Sequence, residues 1–182
     1  MNNIVLIGYR CTGKSTVARI LGRLLDMPVI DTDERVQKRV GLSIARMVEE
    51  RGWEFFRRHE REVIAGIAFQ NNSIIATGGG AVEDGDNRRI ISDGNTVVWL
   101  SAEGSTIAGR MVVDGKSCHE RPPLSNALLL EEIEKIMEKR APLYREIADI
   151  EIDANEAGAA GVAAEILDYM RNRRGKECRA IL

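Results

Sequence analysis

The chain has 182 residues, 44% of them hydrophobic and 30% charged, with a formal net charge of −2. That is the length of one domain with a substantial core, and its composition is ordinary for a soluble globular protein; the charge gives no reason to expect nucleic acid or an anionic membrane as partner. No apolar stretch approaches the ~18 residues of a spanning helix, Met1-Asn2-Asn3 is too short for a signal peptide, and Cys11, Cys118 and Cys178 are odd in number and widely spaced, which suits a reducing compartment, the cytoplasm, rather than a disulfide framework or zinc site.

The first predicted strand is the apolar run 4–7. Gly-Tyr-Arg-Cys-Thr-Gly-Lys-Ser-Thr follows at 8–16 and leads into a helical pattern over 14–25. This is G-x-x-x-x-G-K-[ST] between strand and helix, the setting in which a phosphate loop works. Gly8 and Gly13 let the main chain bend around an anion. The N–H groups from Cys11 through Thr16 and the positive end of the helix face it. Lys14 is placed to reach β- and γ-phosphates, and the Ser15 hydroxyl to ligate Mg²⁺. The chain therefore binds a nucleoside triphosphate. Cys11, inside the loop, reads either as a small filler or as a reactive thiol.

A second strand at 28–30 ends in Asp31-Thr32-Asp33. Two carboxylates beside Lys14 can serve a metal–triphosphate and an acceptor hydroxyl respectively; alternatively Asp33 only caps the helix that follows. Helices are predicted over 33–51 and 53–70. The second carries Arg57 and Arg58 next to Phe55 and Phe56, and His59 on a charged face; neither His59 nor His119 has zinc-ligand spacing. A third strand at 73–77 runs into Gly78-Gly79-Gly80. Three glycines require a close approach to the main chain or positive φ angles, or form a plain turn, and their N–H groups could hold a polar substrate. Then come a helix at 84–92, a strand at 96–100 and a helix at 103–113. Polar, aperiodic residues 114–123, with paired prolines after Arg121, read as a lid. A helix at 127–147 holds Arg140 just before Ala141-Pro142; a strand at 150–152 and a helix at 157–172 follow. From residue 173 the chain reads as a solvated, frayed tail, or as a basic docking segment. Arginine forks suit carboxylate and phosphate, although any single arginine can equally be a solvated surface residue. Strands alternating with helices predict an α/β domain with a mainly parallel sheet, helices on both faces, and ligands at the carboxyl ends of the strands.

Taken together, GYRCTGKST at 8–16, DTD at 31–33, FRR at 56–58, GGGAV at 78–82, RPPL at 121–124 and KRAPLYRE at 139–146 resemble shikimate kinase, in that family's order and over nearly the whole chain. The resemblance implies a single P-loop domain over 1–172 with the nucleoside-monophosphate-kinase-like three-layer fold. Its parts would be a five-stranded parallel sheet, substrate-binding helices about 33–61 and a lid about 112–126. It also implies transfer of the γ-phosphoryl group of ATP to the 3-hydroxyl of shikimate, in aromatic amino-acid biosynthesis; a monomer is expected. By the same resemblance Asp33 binds and orients the nucleophile, and Arg57 and Arg140 grip the substrate carboxylate. Gly79 and Gly80, with Gly78, line the acceptor. Ser15 and, through water, Asp31 hold Mg²⁺. Arg121 closes on the β- and γ-phosphates, and Arg110 lies against adenine. The chain departs from the family pattern at Cys11, where Gly is usual, in RPPL for RPLL, in a longer stretch between Arg110 and Arg121, and at Val48, where an aromatic is common. Competing readings are another P-loop small-molecule kinase, such as a gluconate or nucleoside-monophosphate kinase, and a non-catalytic nucleotide-binding domain.

Overall fold

Ile4, Val5, Leu6 and Ile7 are all fully buried, as expected of a strand covered on both faces. They form β1 (Ile4–Ile7), the centre of a sheet that includes β2 (Val29–Asp31), β3 (Ile74–Ala76), β4 (Thr96–Ser101) and β5 (Ile150–Asp153). In the computed structural model, which describes residues 2–113 and 126–179, the five strands are parallel and ordered β2-β3-β1-β4-β5. In register, Ile4 faces Ile74 on one side and Thr96 on the other.

Helices cover both faces, as the alternating pattern predicts. On the side of Ile4 and Leu6, α1 (Lys14–Leu25) and α7 (Gly158–Arg179) bring Val17, Leu21, Val162 and Ile166 against the sheet. On the side of Val5 and Ile7, Ile64 of α3 (Ile44–Ala65), Ile91 of α4 (Gly85–Ser92) and Tyr144 of α6 (Asn126–Ile147) pack on Ile75 and Trp99. Each such side chain contributes about 1.5–3 kcal/mol by leaving water. The remaining helices are α2 (Thr32–Val40) and α5 (Gly104–Val113). The sheet order reverses at β1, so its carboxyl end opens at the switch point where parallel sheets bind ligands.

Several helix boundaries differ from the predicted ones. The predicted helix 33–51 is broken at Gly41, which takes a left-handed conformation (φ 77°), and restarts at Ser43, whose side chain accepts the Arg46 N–H. A glycine after the last helical residue and a serine at the next start are the usual signals. The apolar period ran across them. At Gly52 (φ 81°, ψ 167°) the chain kinks and continues as α3. Helix α3 ends at Ala65, and residues 66–69 form a 3-10 turn. The last helix continues past residue 172 to Arg179, so the predicted tail is helical over its described part. Of the lid at 112–126 only the ends are described: Val112 and Val113 close α5 and Asn126 opens α6. Arg121, Cys118 and His119 lie outside the described residues.

Candidate active site

The loop after β1 shows why its glycines are there. Gly8 has φ 137°, and a Cβ on it would stand 2.4 Å from the Leu100 carbonyl oxygen. Gly13 (φ 96°) sits at the N-cap of α1 and gives that helix no side-chain cap, so its first N–H groups remain available to an anion. Cys11 also takes a left-handed conformation, φ 62°, which costs a residue bearing a Cβ more than it costs glycine. The Thr12 hydroxyl donates to the Tyr9 carbonyl at 2.8 Å. Lys14 crosses the loop to donate to the same oxygen at 2.6 Å. Burial lowers the Lys14 pKa to about 8 against the opposing pull of Asp33 and Asp31. An anion bound in the loop would supply the negative charge that holds it protonated.

Beside this loop lies a cleft of about 470 Å³. Gly13 and Thr16 line it from α1, Arg110 from α5, and Gly158 from the start of α7. The Arg110 guanidinium donates to the Ala154 carbonyl at 2.5 Å, which fixes it at the cleft's wall.

The two aspartates at the end of β2 diverge because helix α2 begins at Thr32, between them. Asp31 is the cap: its Oδ1 accepts from the N–H groups of Asp33 and Glu34 at 3.0 and 3.2 Å. Its Oδ2 accepts from the Ser15 hydroxyl at 2.6 Å. Asp33 is therefore not the helix cap, and that alternative is excluded. It is buried instead, with Oδ1 lacking a protein partner. Burial first, then the neighbouring charges of Asp31 and Glu60, push its pKa up to about 7, although Lys14 and Arg57 oppose the shift. Ser15 and Asp31 are hard oxygen donors at a helix N-terminus, a donor set suited to Mg²⁺. Among the described residues no group of three His, Cys, Asp or Glu could hold a metal alone, so a cation here would rely on phosphate oxygens and water.

The triple glycine is explained by close approach, since none of its three members has a positive φ. A Cβ on Gly78 would lie 2.6 Å from Asp33 Oδ1 and 2.7 Å from Glu60 Oε1; one on Gly79 would lie 3.0 Å from the Arg10 nitrogen; one on Gly80 would lie 2.1 Å from Arg57 Nη2. The Gly78 N–H donates to the buried Thr32 hydroxyl at 2.9 Å, so Gly78 lines the acceptor cavity without offering its N–H. That corrects the expectation of an available N–H at Gly78. The Gly79 carbonyl accepts from the Tyr144 hydroxyl at 2.5 Å.

Asp33, Arg57, Gly78, Gly79, Gly80 and Arg140 thus border one cavity of about 500 Å³. Arg58 does not: it is exposed, with its guanidinium 5.3 Å from the Phe55 ring. His59 is only partly exposed and stands edge-on to Phe55, less solvated than its charged surroundings suggested. Sequence reasoning missed several residues of this cavity. Glu60 is 1% exposed and pairs with Arg57 at 2.5 Å; its pKa is raised by burial against the pull of Arg57. Its i, i+3 spacing from Arg57 was a signal that could have been used. Trp53 and Phe56, edge-to-face at 6.1 Å, form an aromatic wall, whereas the sequence had drawn attention to the missing aromatic at Val48. Glu83 pairs with Arg140 at 2.7 Å, across a sequence separation that carries no local signal.

Comparison with known proteins gives a consistent result. The shikimate kinase family model matches residues 10–171. The chain is 38% identical to a shikimate kinase of Syntrophus aciditrophicus (strain SB), over 94% of this chain and 92% of the other. It is 39% identical to one of Moorella thermoacetica, over 93% and 94%. Among solved structures, shikimate kinase from Acinetobacter baumannii in complex with shikimate superposes with a TM-score of 0.87 at 29% identity, covering 95% of this chain and 94% of that one.

Proposed function

The chain belongs to the shikimate kinase family and transfers the γ-phosphoryl group of ATP to the 3-hydroxyl of shikimate; we propose that Asp33, Lys14, Arg57 and Arg140 are the described residues that carry out this reaction. One observation supports the assignment above all others. A single cavity at the carboxyl ends of the strands holds two arginines and the buried Asp33 carboxylate, its pKa raised, next to a phosphate loop. A small hydroxylated acid needs such a set: cations for its carboxylate, an oxygen acceptor for the reacting hydroxyl, and a triphosphate alongside.

In this reading Arg57 and Arg140 hold the acid group of the acceptor. The N–H groups of Gly79 and Gly80 donate to its oxygens. Asp33 accepts a hydrogen bond from the reacting hydroxyl and takes its proton. A carboxylate poised near pH 7 is suited to that work. Phosphoryl transfer has a loose transition state, so the chain's main contributions are alignment and charge neutralisation. Lys14 leaves the Tyr9 carbonyl for the β- and γ-phosphates. Gly8, Gly13 and the N–H groups of Cys11, Thr12, Ser15 and Thr16 cradle the triphosphate, and Arg110 borders the base. Mg²⁺ would supply further neutralisation, held by Ser15 directly and by Asp31 through water. Arg121, which lies outside the described residues, is proposed to close on the phosphates from the lid. Among the described residues no helix is long and apolar enough to cross a membrane; we take the protein to act as a cytoplasmic monomer.

Initial-rate ADP release with shikimate, quinate, gluconate and nucleoside monophosphates as acceptors tests the reading. Turnover is expected with shikimate. Turnover on another acceptor with none on shikimate would overturn it.

A further inference from the structure

Glu83 is a carboxylate of the acceptor cavity that none of these roles uses. It ends a 3-10 turn, Ala81–Glu83, directly after the triple glycine, and its two oxygens reach both arginines assigned to the substrate. Oε1 accepts from Arg140 Nε at 2.7 Å, and Oε2 lies 3.6 Å from Arg57 Nη2. The main chain of the turn is fixed. The Asn87 side chain donates to the Ala81 carbonyl at 3.0 Å, Arg88 donates to that of Val82 at 2.7 Å, and Asp84 caps α4. The side chain of Glu83 is free to turn outward, being 46% exposed, whereas Glu60 is 1% exposed and Asp33 is buried.

Resting on the reading of Arg57 and Arg140 as the carboxylate clamp, we propose that Glu83 is a built-in competitor for the acid group of the substrate. Its carboxylate stands between the two guanidiniums, and the substrate carboxylate displaces it toward water. Neither arginine depends on Glu83 alone for its position. Arg57 is anchored to Glu60, and Arg140 lies 5.7 Å from the Tyr9 ring centroid. Two carboxylates placed together at the clamp would repel each other. An acid therefore exchanges one ion pair for another and enters. A neutral polyol has nothing to exchange and leaves Glu83 in place. The device lowers the clamp's affinity for the acid and leaves that for neutral polyols unchanged, so the acid binds with a smaller margin and is released more readily.

Glu83→Gln keeps the shape and an oxygen acceptor for Arg140 while removing the charge. In the whole chain the KM and Kd for shikimate are expected to fall about two- to fivefold, the size of one partly exposed ion pair, with the KM for ATP unchanged. Shikimate methyl ester, which lacks the charge, is expected to bind both proteins equally. An unchanged shikimate KM would make Glu83 a spectator, and a raised one would make it a brace for Arg140; either overturns the proposal. So does an equal gain for the ester, which would mean a looser cavity. Absence of shikimate turnover in the unsubstituted protein would instead remove the functional reading on which the proposal stands.

Discussion

Gly80→Ala isolates the contact between the triple glycine and the acceptor clamp. The added Cβ would stand 2.1 Å from Arg57 Nη2, with the rest of the guanidinium at 2.7 and 2.8 Å. To regain an ordinary contact of about 3.5 Å, the guanidinium must withdraw by about 1.4 Å. Gly80 has φ −97°, so alanine fits the backbone there, and the obstructing atoms are the end of a flexible side chain. The arginine should give way and the fold should not. Displacing it loses one charge-assisted hydrogen bond to the acceptor, about 1.5–3 kcal/mol, which corresponds to a rise in shikimate KM of between about tenfold and about a hundredfold. The KM for ATP should stay near its original value, and so should the melting temperature. Initial rates with each substrate varied in turn, together with a thermal melt, measure all three. A shikimate KM that does not move, or one that rises only in step with that for ATP, would refute the placement of Arg57 against Gly80 as a substrate contact.

Asp33→Asn should retain nucleotide binding and lose turnover by about 10²- to 10⁴-fold, the range for removing a general base; turnover at the native rate would reduce Asp33 to a spectator. The same substitution should also stabilise the protein in a pH-dependent way. The folded pKa of Asp33, about 7, is above its ordinary value of 3.8, so between these values the folded chain keeps a proton that the unfolded chain has released, and the group's contribution to stability falls as pH rises. The gain in melting temperature from Asp33→Asn should therefore be larger at pH 8 than at pH 5, and the reverse order would contradict the buried, strained carboxylate. Tyr144→Phe removes the donor to the Gly79 carbonyl; it should cost about 1 kcal/mol of stability and raise the KM for shikimate more than that for ATP. A larger effect on ATP would place the role of Tyr144 elsewhere.

The segments that border the site were legible where their chemistry is local. The phosphate loop, the aspartates at the end of β2 and the glycines after β3 each occupy a few consecutive residues at a strand end, and strand ends are where parallel sheets bind ligands. The five strands and their covering helices were legible for the same reason, since each strand is a short apolar run between helical periods. The break at Gly41 was missed because Val36, Met47 and Phe56 pack into one cluster, so the apolar period carries across the turn while only the cap residues mark it. The sequence alone left open whether Asp33 merely caps the helix after it, and Asp31 was not weighed as the cap, since that depends on the helix starting at Thr32. Glu60 and Glu83 escaped notice for different reasons. Glu60 sits on the same helix face as Arg57, but acids on a charged helix are usually solvated, and only burial distinguishes this one. Glu83 and Arg140 lie 57 positions apart and meet only because α6 crosses the turn after the triple glycine.

The central claim is that Arg57 and Arg140 recognise the acid of the acceptor while the phosphate loop separately holds the nucleotide. Calorimetric titration of shikimate and, in parallel, of ATP into the unsubstituted protein, Arg57→Ala and Arg140→Ala tests this most directly. Each substitution should weaken shikimate binding by more than about tenfold, as expected for a lost charge-assisted contact, and leave ATP binding essentially intact. Equal weakening of both ligands, or shikimate binding that survives either substitution, would contradict the account.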